Sequence, residues 1–315
     1  MRRSFKDYLI ISVKGMAMGA ADVVPGVSGG TIAFISGIYE ELINTISGVK
    51  IGLLRTWKTE GFKPMWKELN GNFIIALLTG ILISIFSVMR VTNYLLENHP
   101  ILIWAFFFGL VLASVYYVGK QINKWTFNVF LFLLLGAATA FYITSLPPMA
   151  AAASDLFLFF AGAIAICAMI LPGISGAFIL VLLGAYKTVS EAAHDFDLKT
   201  LGIVALGAVF GLLSFSRLLK WLFINYSTLT LATLTGFIAG SLNKIWPWKR
   251  VLETAEFGDK SIVIRDESVL PWNFEAQPHT MEAFFLMLAG FLLILILEGL
   301  AEKKPVQENA GNPNV

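Results

Sequence analysis

Pro25-Gly26-Val27-Ser28-Gly29-Gly30 and Pro172-Gly173-Ile174-Ser175-Gly176-Ala177 decide how this chain is read, because the second stretch repeats the first. At a fixed offset of 147, Pro25 pairs with Pro172, Gly26 with Gly173, Ser28 with Ser175 and Gly29 with Gly176. The same offset pairs Gly37 with Gly184 and Tyr39 with Tyr186, without a gap. A second match, at an offset of 127, joins Gly80, Arg90, Gly109 and Ser114 to Gly207, Arg217, Gly236 and Ser241. Two matches in the same order mark a duplication. The difference of 20 between the offsets falls on a basic segment at 49–71 that the second half lacks.

Both loops interrupt strongly apolar sequence. The chain has 315 residues, 57% of them hydrophobic and only 14% charged, with a mean hydropathy of +0.75. A soluble domain carries about 25% charged residues, and a helix needs about 20 apolar residues to cross a bilayer. Several runs here reach that length, so the expected fold is an all-α polytopic membrane protein. A net charge of +2 gives no reason to expect nucleic acid as a partner. The single cysteine, Cys167, supports neither a disulfide framework nor a metal site. Nothing suggests an enzyme or a cofactor: there is no glycine-rich nucleotide loop before a lysine, no metal-ligand spacing and no Ser/His/Asp set.

The first repeat is expected over 1–150. It comprises a re-entrant or broken hairpin at 5–48 around the Pro25 loop, an interfacial segment at 49–71 with Trp57 and Trp66, and three spanning helices within 72–146. The second repeat is expected over 151–301, with a hairpin at 155–192 and spanning helices at 201–226, 228–242 and 281–300. An outer loop at 243–280 would hold Trp246, Trp248 and Trp272 as interface anchors. Residues 302–315 read as a disordered tail. Lysine and arginine favour the segments that share a side with the N-terminus, so both termini are expected in the cytoplasm. Each repeat crosses an odd number of times. The second therefore enters from the opposite side, which is the inverted plan of many secondary transporters.

The loops carry the chemistry. Proline breaks a helix and glycine permits a sharp turn. The helix that follows begins with N–H groups that have no partner inside it, and its positive end favours an anion. Ser28, Gly29, Gly30 and Thr31 in the first copy, with Ser175 and Gly176 in the second, are the candidate anion donors. The plainer reading is a hinge where two repeats pack closely; retention of both serines favours a site. Arg90 and Arg217 lie inside apolar runs at equivalent positions. An arginine there is costly and points to function, although snorkelling to the headgroups is the bland alternative. Arginine grips phosphate bidentately, and Lys220 can assist Arg217. Asp22 and Glu41 are candidates for coupling to an ion, with proton or sodium left open.

The stretch Gly19-Ala-Ala-Asp22-Val-Val-Pro25-Gly-Val-Ser28-Gly-Gly-Thr31, running on to Gly37-Ile-Tyr39-Glu-Glu41-Leu, resembles the signature of the bacterial polyprenyl-phosphate transporter family. Leu171-Pro-Gly-Ile-Ser175-Gly176, Gly184-Ala-Tyr186 and Ser216-Arg217-Leu-Leu resemble its second-half motifs. The resemblance covers nearly the whole chain. It implies a flippase of the bacterial cytoplasmic membrane that returns undecaprenyl phosphate to the inner leaflet for reuse in peptidoglycan and other envelope synthesis. The expected partners are then the lipid and the bilayer. A small inorganic anion transporter or channel is the main alternative, and a membrane scaffold or lipid sensor the third class.

Overall fold

A computed structural model describes residues 3–23, 28–50, 52–149, 154–257 and 260–302. Pro25, Gly26 and Val27 of the first loop, the run at 150–153 and the tail beyond 302 lie outside the described residues, as does the side chain of Arg90. The first half contains α1 (Phe5–Val23), α2 (Gly29–Ile35), α3 (Tyr39–Ser47), α4 (Gly52–Glu60), α5 (Phe62–Glu68), α6 (Gly71–Asn98), α7 (Pro100–Lys120) and α8 (Phe127–Ser145). The second contains α9 (Asp155–Ile170), α10 (Gly176–Leu182), α11 (Tyr186–His194), α12 (Leu198–Ser241) and α13 (Thr280–Glu302). The fold is thus mostly helical. Among the described residues, Pro100–Lys120, Phe127–Ser145 and the continuous run Leu198–Ile245 are long and apolar enough to cross a membrane.

The duplicated sequence produces duplicated local structure. α2 and α10 coincide end to end at the offset of 147, and so do α3 and α11. Single helices were expected on leaving each loop, but both are broken. Gly37 and Gly184 stop them at φ 72° and 70°, in the left-handed region that glycine enters at no steric cost. The second break bends the chain by 112°. At the offset of 127, His99 between α6 and α7 (φ −139°, ψ 51°) matches Tyr226 within α12 (φ −138°, ψ 42°). α12 is therefore two arms, 198–225 and 227–241.

Packing repeats as well. A Cβ added at Gly15 or Gly80 would overlap the carbonyls of Leu77 and Ser12 respectively, and one at Gly162 or Gly207 those of Val204 and Phe159. Each contact in the first pair maps onto one in the second through the two offsets. α1 and α6 run in the same direction: Tyr8 lies by Asn72, Ser12 donates to the Ala76 carbonyl at 2.8 Å, and Gly19 faces Ile81. In α9 and α12, Lys199 pairs with Asp155 at 2.8 Å across the two helix starts, and Gly211 faces Ala163.

The last helices are exchanged between the halves. α13 packs on α7, and α8 packs on α12. Gly109 abuts Met287 and Gly290 abuts Phe106; on the equivalent seam Gly236 abuts Leu133 and Gly136 abuts Thr233. Leu133 and Ala137 of α8 face Gly236 and Gly240 of α12 in steps of four, so these two helices also run the same way. Small residues let such backbones approach closely, which is how helices gain packing energy in lipid.

The polar excursion at 243–280 departs from the all-helical expectation. Lys249–Phe257 (β1) and Lys260–Ser268 (β2) form an antiparallel hairpin, paired from Lys249↔Ser268 to Phe257↔Lys260. The β-branched residues Val251, Thr254, Ile262, Val263 and Ile264 favour extended backbone. The tryptophan assignment also changes. Trp248 is buried and donates from Nε1 to the Pro278 carbonyl at 2.8 Å, and Trp246 donates to Val269 at 2.8 Å. Both fix the base of the hairpin, whereas Trp272 is 75% exposed.

Candidate functional site

The two repeated loops meet and bond to each other. The Ser28 hydroxyl donates towards the carbonyls of Leu171 (3.2 Å) and Met169 (3.3 Å), and its oxygen accepts from the Gly30 N–H at 3.1 Å. In return, the Gly173 N–H donates to Thr31 Oγ1 at 2.9 Å. Ser28 and Thr31 are buried, at 1% and 0% exposure. A Cβ on Gly30 would stand 2.6 Å from the Ile170 carbonyl, so the residue must be glycine for the loops to approach.

The first copy is closed by its own groups. Asp22, at the end of α1, accepts the Gly29 N–H at 2.7 Å, and Ser28 accepts the next. An internal carboxylate thus occupies the position at the start of α2 where an external anion would sit. Met169 stands at the position equivalent to Asp22, and the second copy is built differently. Ser175 and Gly176 are half-buried, and the Ser175 side chain makes no capping bond to α10. Phe178 replaces Thr31, so no hydroxyl is returned from this side.

The hairpin of α1, α2 and α3 folds back on itself. Arg3 makes two bonds to Glu41, at 2.6 and 2.7 Å, and Asn70 adds a third at 2.9 Å. Lys14 donates to the Ser36 carbonyl. Glu41 therefore closes the mouth of the hairpin, apart from the crossed loops where Asp22 lies. Arg217 is exposed and donates from Nη2 to the Val49 carbonyl at 2.9 Å, just past α3. α3 lies along α12 there, with Tyr39 and Phe223 ring centroids 6.0 Å apart.

One cluster near the second loop escaped the sequence reading. Lys244 Nζ lies 5.0 Å from the centroid of the Phe178 ring, in the first turn of α10. It also pairs with Asp266 at 3.2 Å, and Lys249 pairs with the same carboxylate at 2.7 Å. Burial acts to raise the Asp266 carboxyl, but the two ammonium groups outweigh it and hold the group below the usual carboxylate range. Burial lowers Lys249, partly offset by Asp266. The available signal was Lys244 itself, a charge at the position where the first half has Tyr117.

Fold and site together define a polytopic helical membrane protein whose duplicated, broken hairpins meet at a buried polar crossing. The chain belongs to the VCA0040-like family, described as undecaprenyl phosphate translocase-like, whose model matches residues 18–262. A polyprenyl-phosphate transporter of Vibrio cholerae serotype O1 is 46% identical over 302 residues, covering 94% of this chain and 98% of its own. One from Staphylococcus aureus is 33% identical over 253 residues, covering 75% of this chain and 85% of its own. No solved structure matches the chain.

Proposed function

We propose that this chain transports polyprenyl phosphate by flipping the phosphate headgroup across the bacterial cytoplasmic membrane while the isoprenoid tail stays in lipid. The observation that carries the proposal is the crossing of the two loops, where Ser28 and Thr31 bond to residues 169–173. A buried meeting of two broken hairpins is where transporters bind substrate. The shared direction of α8 and the second arm of α12 supports inverted repeats. α8 is the counterpart of α13, and consecutive spanning helices alternate, so a same-way repeat would set α8 and that arm against each other. The names of the two relatives supply the substrate class.

The proposed cycle uses the difference between the loops. Ser175 and the Gly176 N–H take the headgroup while Asp22 and the crossing close the first copy, and Arg217 serves the cytoplasmic face. Parting of the crossing then frees Ser28, Gly29, Gly30 and Thr31, and Arg90 serves the other face. Rocking of one repeat against the other provides alternating access. Asp22 would be released as a carboxylate when phosphate replaces it, which makes it the better coupling candidate of the two acids. Both termini lie in the cytoplasm in this reading, and the 243–280 segment lies outside.

The test is transbilayer movement of a fluorescent polyprenyl phosphate in liposomes holding the full chain, with chloride flux as control. Arg217→Ala and Arg90→Ala should each slow movement by about tenfold or more, the loss of one charge-assisted contact. Full activity in the double variant sinks the role of the arginines. Chloride flux without lipid movement sinks the substrate.

A further inference from the structure

The Lys244–Asp266–Lys249 cluster joins the end of α12 to the base of the β-hairpin, apart from the crossed loops. Three charges converge with side-chain exposures of 22%, 19% and 17% for Lys244, Asp266 and Lys249. Two ammonium groups share one carboxylate, so the cluster keeps a net positive charge in a poorly solvated position. Desolvating a cation without full compensation is costly, and such an arrangement is well matched to an incoming anion. The support beneath it is rigid: Trp246 and Trp248 tie the hairpin base through their indole N–H groups. Lys244 follows Ser241 by one turn, and Ser241 Oγ is the atom that a Cβ on Gly173 would meet at 2.7 Å. Lys244 also stands over Phe178, three residues past Ser175. The cluster therefore adjoins the second loop, the copy whose serine makes no cap, and has no equivalent in the first half, where Tyr117 takes the place of Lys244.

We propose that Lys244 and Lys249, held by Asp266, form the capture site for a phosphate monoester approaching the second loop from the side of the β-hairpin. A dianion would exchange the single Asp266 contact of each lysine for its own oxygens and then pass to the Ser175 end of α10. This rests on the transport reading above; the shared chemistry, a phosphate dianion, is available from a lipid headgroup or from free phosphate.

The two sources and the two hypotheses separate in one set of measurements. Binding of geranyl phosphate and of inorganic phosphate to the detergent-solubilised full chain is measured beside lipid movement in liposomes, with melting temperature as a check on folding. Lys244→Gln should weaken geranyl phosphate binding by about tenfold, as for one charge-assisted bond. Asp266→Asn should tighten it by about threefold, since it removes the competing carboxylate. Lys199→Gln, an exposed charge distant from the second loop, should change neither. Opposite signs for Lys244→Gln and Asp266→Asn support the capture site. Equal weakening by both, or no change in either with the fold intact, overturns it, because a purely structural ion pair behaves so. Binding of inorganic phosphate alone, with the same opposite signs and no lipid movement, retains the site and rejects the lipid as its source. Geranyl phosphate binding with no lipid movement in liposomes rejects the transport reading alone.

Discussion

Single residues separate two roles that the repeated motif merges. Ser28 and Ser175 hold the same place in the repeated Pro-Gly-(Val/Ile)-Ser-Gly motif, yet Ser28 bridges the halves while Ser175 stands half-buried without a cap. Ser28→Ala should therefore destabilise the folded chain by about 1–2 kcal/mol, because it leaves buried carbonyls and the Gly30 N–H without a partner. Ser175→Ala should leave the melting temperature near that of the parent; an equal loss in both would show that the asymmetry has no energetic content. The pairing of the two serines was legible from the offset alone. Which of them is occupied was not, because it depends on Asp22 accepting from Gly29, seven residues on, and on Met169 having no such group.

Among elements, the helices show how far an apolar pattern carries. Spanning segments end where polar residues and Pro100 end them, and the expected break between 226 and 228 falls at Tyr226. The breaks at Gly37 and Gly184 were visible in the sequence only as a matched glycine before a matched tyrosine. The β-hairpin was hidden by its charge: Lys249, Arg250, Glu253, Arg265, Asp266 and Glu267 read as a solvated loop. Its base should be sensitive to acid. Asp266 is held below its usual value in the folded state, so its contribution is complete above pH about 4 and fades as pH falls through the folded value. Lys249 is lowered as well, so its contribution changes in the alkaline range and leaves the acid behaviour to Asp266. Hydrogen-exchange protection across 249–268, taken relative to the unfolded chain at each pH, should stay constant from pH 5 to 8 and fall below about 4. Asp266→Asn should abolish that dependence, and an unchanged profile would assign it elsewhere.

At the scale of the molecule, the duplication predicts sides. In a Cys167→Ala background, Lys124→Cys and Asn273→Cys should react with a membrane-impermeant maleimide from opposite faces of sealed vesicles. Labelling from one face would contradict the inverted plan. The offsets made the two halves legible, but they gave no sign that α13 lies on α7 and α8 on α12, because exchanged and unexchanged partners present the same small-residue seams. That exchange has a consequence for how the chain is made. When α7 and α8 leave the ribosome, the seam of Gly109 has no partner, and it stays bare until the final helix is synthesised. The first half must wait in the membrane as an incomplete intermediate, open to other small-residue helices, until α13 covers that seam.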